Sequence, residues 1–254
     1  MIGKCQLCLE EKELQPKSHI IPDFFYRESD LFHHQYHNLV TTDLLTILNK
    51  GKVKVLSNKQ KTGYYDKYIL CYDCEHTILN SYETYGMSFF YSQNLPKNQI
   101  WIGNICREYR ECLNSDYTKL KLLFLSILWR SGISNKQMFD NVRLEDNQQE
   151  EIRTMILNGD PKSESDYPIV FLCSLTDESI SRDHFIQPIR VESKISGMNN
   201  FIFFFGGFVL IFAQKKSDIP DILTRYQIFE NGTFRAGHLY KGQTWNMIKK
   251  LYGS

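Results

Sequence analysis

No run of this chain is apolar for long enough to cross a bilayer as a helix. The most hydrophobic stretch, Phe201 to Ala213, covers thirteen residues and is broken by Gly206-Gly207. A spanning helix needs about 20, so no membrane partner is expected and the stretch reads better as a hairpin. No leader is expected either, because Met1 to Gln15 is charged and short of apolar residues, which fits neither a signal peptide nor a transit sequence. An excess of one charge is also missing. Thirty Lys and Arg stand against 29 Asp and Glu, a net charge of +1, so a nucleic-acid partner would have to be met by a local patch. No phosphate-cradling glycine loop, serine nucleophile elbow, repeat or low-complexity tract occurs. The seven cysteines are an odd number with four in metal-like spacing, which argues against a disulfide framework and for a reducing, cytoplasmic setting.

What is present is a folded chain organised around paired cysteines. With 254 residues and 42% hydrophobic content it can build one large domain or two smaller ones. Cys5-Gln6-Leu7-Cys8 and Cys71-Tyr72-Asp73-Cys74 are two C-x-x-C hooks, and together Cys5, Cys8, Cys71 and Cys74 offer four thiolates for one tetrahedral zinc ion. The competing readings are unrelated buried thiols and a redox pair, the second disfavoured because nothing resembles the fold that carries such a pair. The interval Leu9 to Leu70 far exceeds the roughly 12 to 20 residues of a compact finger, so it carries something besides the metal site.

Pattern along the chain predicts an α+β fold. A knuckle over residues 1–15 leads to an extended segment through His19, ended by Pro22, which biases Ile21 away from helix. A helical turn or two follows from Asp23, and Tyr68-Ile69-Leu70 reads as a strand entering the second hook. Ile78, Leu79, Tyr82, Tyr85, Gly86 and Phe89 have helical spacing, with Glu75 in the first turn where the helix dipole favours an acid. Asn94-Leu95-Pro96-Lys97-Asn98 reads as a linker, dividing a zinc domain (1–95) from an α+β domain (96–254). In the second part, helices are expected at about 116–157, with Asp116 capping the first, and short ones at Ser134 to Phe139 and Asn147 to Leu157. An antiparallel sheet is expected at about 167–235, with strands at Pro168 to Cys173, Phe185 to Val191, Asn200 to Phe205, Phe208 to Ala213, Arg225 to Phe229 and Thr233 to Phe234. Gly206-Gly207 and Asn231-Gly232 are its hairpin turns, and a helix at 244–252 closes the chain.

Between Asn49 and Lys67 six lysines meet one acid, Asp66. Lys52, Lys54, Lys59, Lys61 and Lys67, interleaved with Val53, Val55 and Leu56 and followed by Tyr64-Tyr65, form a candidate nucleic-acid face, with a solvated loop as the alternative. His33, His34 and His37 read as a solvated loop, and Cys106, Cys112, His184 and His238 as ordinary packing residues.

Residues 4–85 resemble the HNH nuclease superfamily, whose ββα-metal core is a treble clef. Cys5 to Cys8, then His19-Ile20-Ile21-Pro22, then Cys71 to Cys74 at the start of a helix carry the resemblance. The chain also resembles a group of bacterial proteins sharing Ser18 to Pro22 and Tyr65 to Glu75. The resemblance implies a structural zinc, a catalytic Mg2+ or Mn2+ at the scissile phosphate, and His19 as the base that deprotonates water. Asn38 would orient that base, with Asn58 as the other candidate. Glu75 stands where the family has histidine or asparagine, followed by His76, and Ser18 where the family has an acid or histidine. The catalytic ion would then rest on Glu75 and Asp66, or be absent.

The expected function is a metal-dependent HNH-like endonuclease, with DNA a better substrate than RNA and anti-phage defence a setting that fits. The part after residue 95 would recognise a substrate, a protein partner or a second protomer. The alternative is a non-catalytic zinc-stapled module that binds nucleic acid or protein.

Overall fold

The computed structural model describes residues 1–26, 37–39, 63–91, 104–105, 108–174, 177, 184–192 and 199–252. The amino-terminal segment is built from short strands. β1 (Ile2–Lys4) pairs antiparallel with β2 (Glu11–Glu13), so that the first cysteine hook is the turn between them. β3 (Ser18–His19) is followed by Pro22 and a single 3-10 turn, Asp23–Tyr26, and β4 (His37–Leu39) comes next in the chain. β5 (Tyr65–Asp66) pairs antiparallel with β3. The strand expected at Tyr68 to Leu70 is not formed. Tyr68 is left-handed, with φ of 58°, which breaks extension and turns the chain toward Cys71, while Ile69 O accepts from Gln6 N at 2.9 Å.

From the second hook a widened π-helical stretch, Asp73–Leu79, runs into α1 (Asn80–Tyr91). α2 (Tyr117–Ile133) starts as its sequence suggests, with the Asp116 carboxylate accepting from Lys119 N at 2.9 Å. Every residue of α2 from Leu120 to Ser131 is buried, two cations included. One of these, Lys121, donates to Tyr117 Oη, Ser163 O and Asp166 O at 2.9, 2.6 and 2.7 Å, so all three of its N–H groups are matched. The helix expected at Ser134 to Phe139 is a single 3-10 turn, Gln137–Phe139. α3 (Asp146–Asn158) ends at Gly159, whose φ of 69° is the left-handed geometry a helix stop uses.

The strands β6 (Asn104–Ile105), β7 (Tyr109–Cys112), β8 (Ile169–Cys173), β9 (His184–Glu192), β10 (Asn199–Phe205), β11 (Phe208–Phe212) and β12 (Phe234–His238) join β4 in one sheet, ordered β4-β9-β10-β11-β8-β12-β7-β6. The sheet is mixed rather than antiparallel, because β12 runs parallel to β8 and β4 parallel to β9. Arg225 to Phe229 does not make a strand, and only isolated bridges at Gln227 and Ile228 tie it to the sheet. The Gly206-Gly207 hairpin forms as expected, with φ of 58° and 78°. α4 (Gln243–Tyr252) closes the chain, its first amides held by the buried Asp177, which accepts from Gly242 N and Thr244 N at 2.7 Å each.

Alternation buries both faces of the sheet. Phe171, Phe203, Phe205, Phe212 and Phe234 pack into one core with α1 and α2, while Val170, Leu172, Phe204, Val209 and Ile248 of α4 fill the other. The 3-10 turn after Pro22 plugs the amino-terminal segment into the first core: Phe25 lies 5.7, 6.0 and 5.1 Å from Phe90, Phe124 and Phe205, and Tyr26 stacks on Phe185 at 4.5 Å. The suggested linker at 94–98 lies outside the described residues, and the apolar core is continuous from Phe89 and Phe90 before it to Phe234 after it, with rings 5.3 and 6.3 Å apart. Among the described residues no helix is long and apolar enough to cross a membrane.

α1 and α2 meet closely at Gly86, where a Cβ would lie 2.3 Å from Leu123 Cδ2. Gly86→Val must therefore displace the buried Leu123 side chain from its packed position, and should lower stability by about 1–3 kcal/mol. A urea midpoint equal to that of the parent protein would contradict this packing.

Candidate metal centre and adjoining polar site

The knuckle is shaped by its backbone. Cys5 N donates to Glu10 O and Leu9 N to Cys5 O, both at 2.9 Å, and Leu9 takes a left-handed φ of 64° to close the turn. The second hook approaches across it, with Cys71 N donating to Cys5 Sγ at 3.3 Å and Cys8 Sγ 4.0 Å from Cys71 Sγ. All four sulfurs of Cys5, Cys8, Cys71 and Cys74 lie within 4.8 Å of one another, none is in a disulfide, and all but Cys8 are buried. Tetrahedral zinc–thiolate bonds of about 2.3 Å place sulfurs roughly 3.8 Å apart, so this cluster can hold a metal ion such as zinc. Its acidities point the same way. Hydrogen bonding from the Cys74 thiol pulls Cys5 down to about 4. Donating to Cys5 holds the Cys74 proton in place, with burial adding to the effect, and burial pushes Cys8 up. A cation is what lets all four become thiolates together.

Behind the cluster lies a second set of polar groups. In the β3–β5 pair Ser18 faces Asp66 and His19 faces Tyr65, so Ser18 and Asp66 share one side of the pair and His19 and Tyr65 the other. Ser18 and Asp66 are 0% and 8% exposed. Glu75 follows Cys74 directly in the first helical turn. Ser18 Oγ, Asp66 Oδ2 and Glu75 Oε2 are all buried without a hydrogen-bond partner among the described residues. Burial pushes Glu75 up to about 7; the Arg130 guanidinium opposes this, and the Ser18 hydroxyl sits close enough to pull the same way without completing a hydrogen bond. His19 is half-buried, and that burial lowers its pKa against the pull of Asp23 and Glu83, which keeps the imidazole neutral near pH 7. Its ring sits edge-on to Tyr65 at 6.4 Å, and the Tyr65 ring carries the ammonium groups of Lys17 at 5.0 Å and Lys136 at 5.8 Å.

Not every candidate residue joins this site. His76 is exposed and rests 4.6 Å from the exposed Tyr72 on the outer side of the helix. Asn38 lies in β4, opposite Phe185 of β9, and so belongs to the large sheet rather than to the β3–β5 pair. Lys67 is exposed, whereas Lys52, Lys54, Lys59 and Lys61 lie outside the described residues, as do Asn58, His33, His34 and Cys106. Cys112 is a fully buried core residue. Among the described residues the four cysteines form the sole cluster of three or more metal-ligating groups, so neither Asp66 nor Glu75 belongs to such a cluster.

The residues missed by sequence reasoning come from the helices. Arg130 of α2 is 0% exposed, ion-paired with Glu83 of α1 at 2.9 Å and hydrogen-bonded to His19 O. Arg153 of α3 pairs with Glu150 at 2.6 Å and donates to Leu7 O inside the knuckle. A cation late in the most apolar helical run of the chain was the available signal for Arg130; Arg153 had none. Comparison with protein families, curated proteins and solved structures returns no match for this chain.

The protein should purify with one zinc ion per chain by elemental analysis. Cys71→Ser should lose that zinc, and a strong chelator should unfold the amino-terminal segment of the parent protein, read as a fall in thermal midpoint. Full stability with no bound metal would remove the metal centre from the account.

Proposed function

We propose that this chain is a zinc-stapled, metal-dependent nuclease of the ββα type, in which the knuckle, the β3–β5 pair and the helix after Cys74 act as a treble clef like that of the HNH superfamily it resembles. The observation that carries the reading is a set of three buried oxygens without a hydrogen-bond partner, Ser18 Oγ and Asp66 Oδ2 on one side of the β3–β5 pair and Glu75 Oε2 directly after the second hook, with a neutral His19 on the other side of that pair. Unsatisfied carboxylate oxygens inside a protein cost free energy unless a cation or water meets them. Zinc at the cysteines is structural, since four thiolates leave it no open position.

Asp66 and Glu75 would hold Mg2+ or Mn2+, hard ions that prefer oxygen; when bound, such an ion neutralises the scissile phosphate and stabilises the leaving oxygen. His19 accepts the proton of the attacking water on a free ring nitrogen, which a neutral imidazole can do near pH 7. The strand pairing of His19 with Tyr65, together with its backbone contact to Arg130, holds the main chain from which that ring projects. Lys17 and Lys136 supply positive charge beside Tyr65 for the flanking phosphates, Lys136 Nζ also lying 3.9 Å from Asp66 Oδ1, and DNA is the first substrate to try. The near-complete burial of Ser18 and Asp66 favours the second reading, a zinc-stapled binding module that does not cut.

Purified protein should nick plasmid DNA with Mg2+ or Mn2+ and not with chelator present. His19→Ala should slow cutting by about 100-fold or more, the scale of a lost general base, with zinc content and circular dichroism unchanged. If neither DNA nor RNA is cut under any divalent ion, the nuclease reading fails and the binding module replaces it.

A further inference from the structure

Arg130 is the most completely buried charge next to the proposed site, and it belongs to a helix far along the chain from the cysteine hooks. Its side chain is 0% exposed. Nε donates to Ser126 O at 3.2 Å and Nη2 to Ser126 Oγ at 3.1 Å, so its own helix holds the guanidinium in one orientation. Nη1 then meets two other segments at once, pairing with Glu83 Oε1 at 2.9 Å and donating to the backbone carbonyl of His19. A buried guanidinium without partners would cost several kcal/mol, so this bonding pattern is strongly specified. Its fork is spread over three elements: α2, the β3 strand and α1.

We propose that Arg130, braced by Glu83, is a positioning residue that fixes the strand end bearing His19 against the helical rod that bears Glu75, so that the site is completed by the second half of the chain. This rests on the nuclease reading above. The backbone carbonyl is the right handle for the purpose, because β3 has only two residues and its pairing with β5 alone cannot hold a ring direction. Lysine could keep the charge but not the fork, since one ammonium cannot reproduce the planar, multi-point contact.

The test uses the full-length, zinc-loaded protein and three variants: Arg130→Met, Arg130→Lys and Glu83→Gln. Two readouts are taken, the imidazole signals of His19 by two-dimensional NMR and the kcat and KM of plasmid cutting. Arg130→Met should move the His19 signals while leaving those of the exposed His76 in place. It should also lower kcat by about 10- to 100-fold, the scale of a misplaced catalytic group, with KM little changed. Arg130→Lys should recover part of both, and Glu83→Gln should reproduce the shift in weaker form, which keeps the test decisive if Arg130→Met fails to fold. Unmoved His19 signals in the folded variants overturn the proposal whatever the cutting assay shows. If the parent protein does not cut at all, the nuclease reading falls by that result, and the NMR arm still decides whether Arg130 positions His19.

Discussion

Four thiol groups crowded within 4.8 Å are the constraint on which the amino-terminal segment depends. Left as thiols they trade one proton-poor sulfur, Cys5, against neighbours that hold theirs, which is a weak way to join chain ends. One cation in place of the protons would give four bonds directed at a common centre. That closure would tie down the start of the first helix, and with it Glu75, which follows Cys74 directly. It would also close the long chain interval between the hooks, which favours the pairing of β3 and β5, two residues each and far too short to pair unaided.

The cysteine cluster does not position the polar groups alone. Two arginines reach back from later helices to backbone carbonyls of the first segment, Arg153 to Leu7 in the knuckle and Arg130 to His19. The aromatic turn after Pro22 adds an apolar anchor, with Phe25 set among Phe90, Phe124 and Phe205. The cysteines thus staple the segment from one side while α2, α3 and the sheet hold it from the other. A carboxylate and an imidazole in such a setting are desolvated and fixed in direction, the conditions that shift acidities toward acid–base chemistry.

What the sequence revealed was local. Paired C-x-x-C spacing, the Asp116 cap, the apolar period of α2 and the Gly206-Gly207 turn each carry their signal within a few residues, and each was legible. The mixed character of the sheet was not. Parallel pairing of β12 with β8 and of β4 with β9 joins residues distant in the chain, and no periodicity announces a partner. Tyr68 was misread because β-propensity says nothing of a left-handed turn imposed by the cysteine hooks. Arg130, Glu83 and Lys136 escaped for the same reason: each acts on a residue far away in sequence, and only the fold brings them to His19 and Tyr65.

The central claim is that one chain holds two different metal sites, a sulfur site for structure and an oxygen site for chemistry. The most direct measurement is anomalous diffraction at the zinc and manganese edges from crystals of zinc-loaded protein soaked in Mn2+. The account predicts a zinc peak among the sulfurs of Cys5, Cys8, Cys71 and Cys74, and a separate manganese peak touching the carboxylates of Asp66 and Glu75. Zinc missing from the sulfurs, or manganese bound nowhere near Asp66 and Glu75, would contradict it.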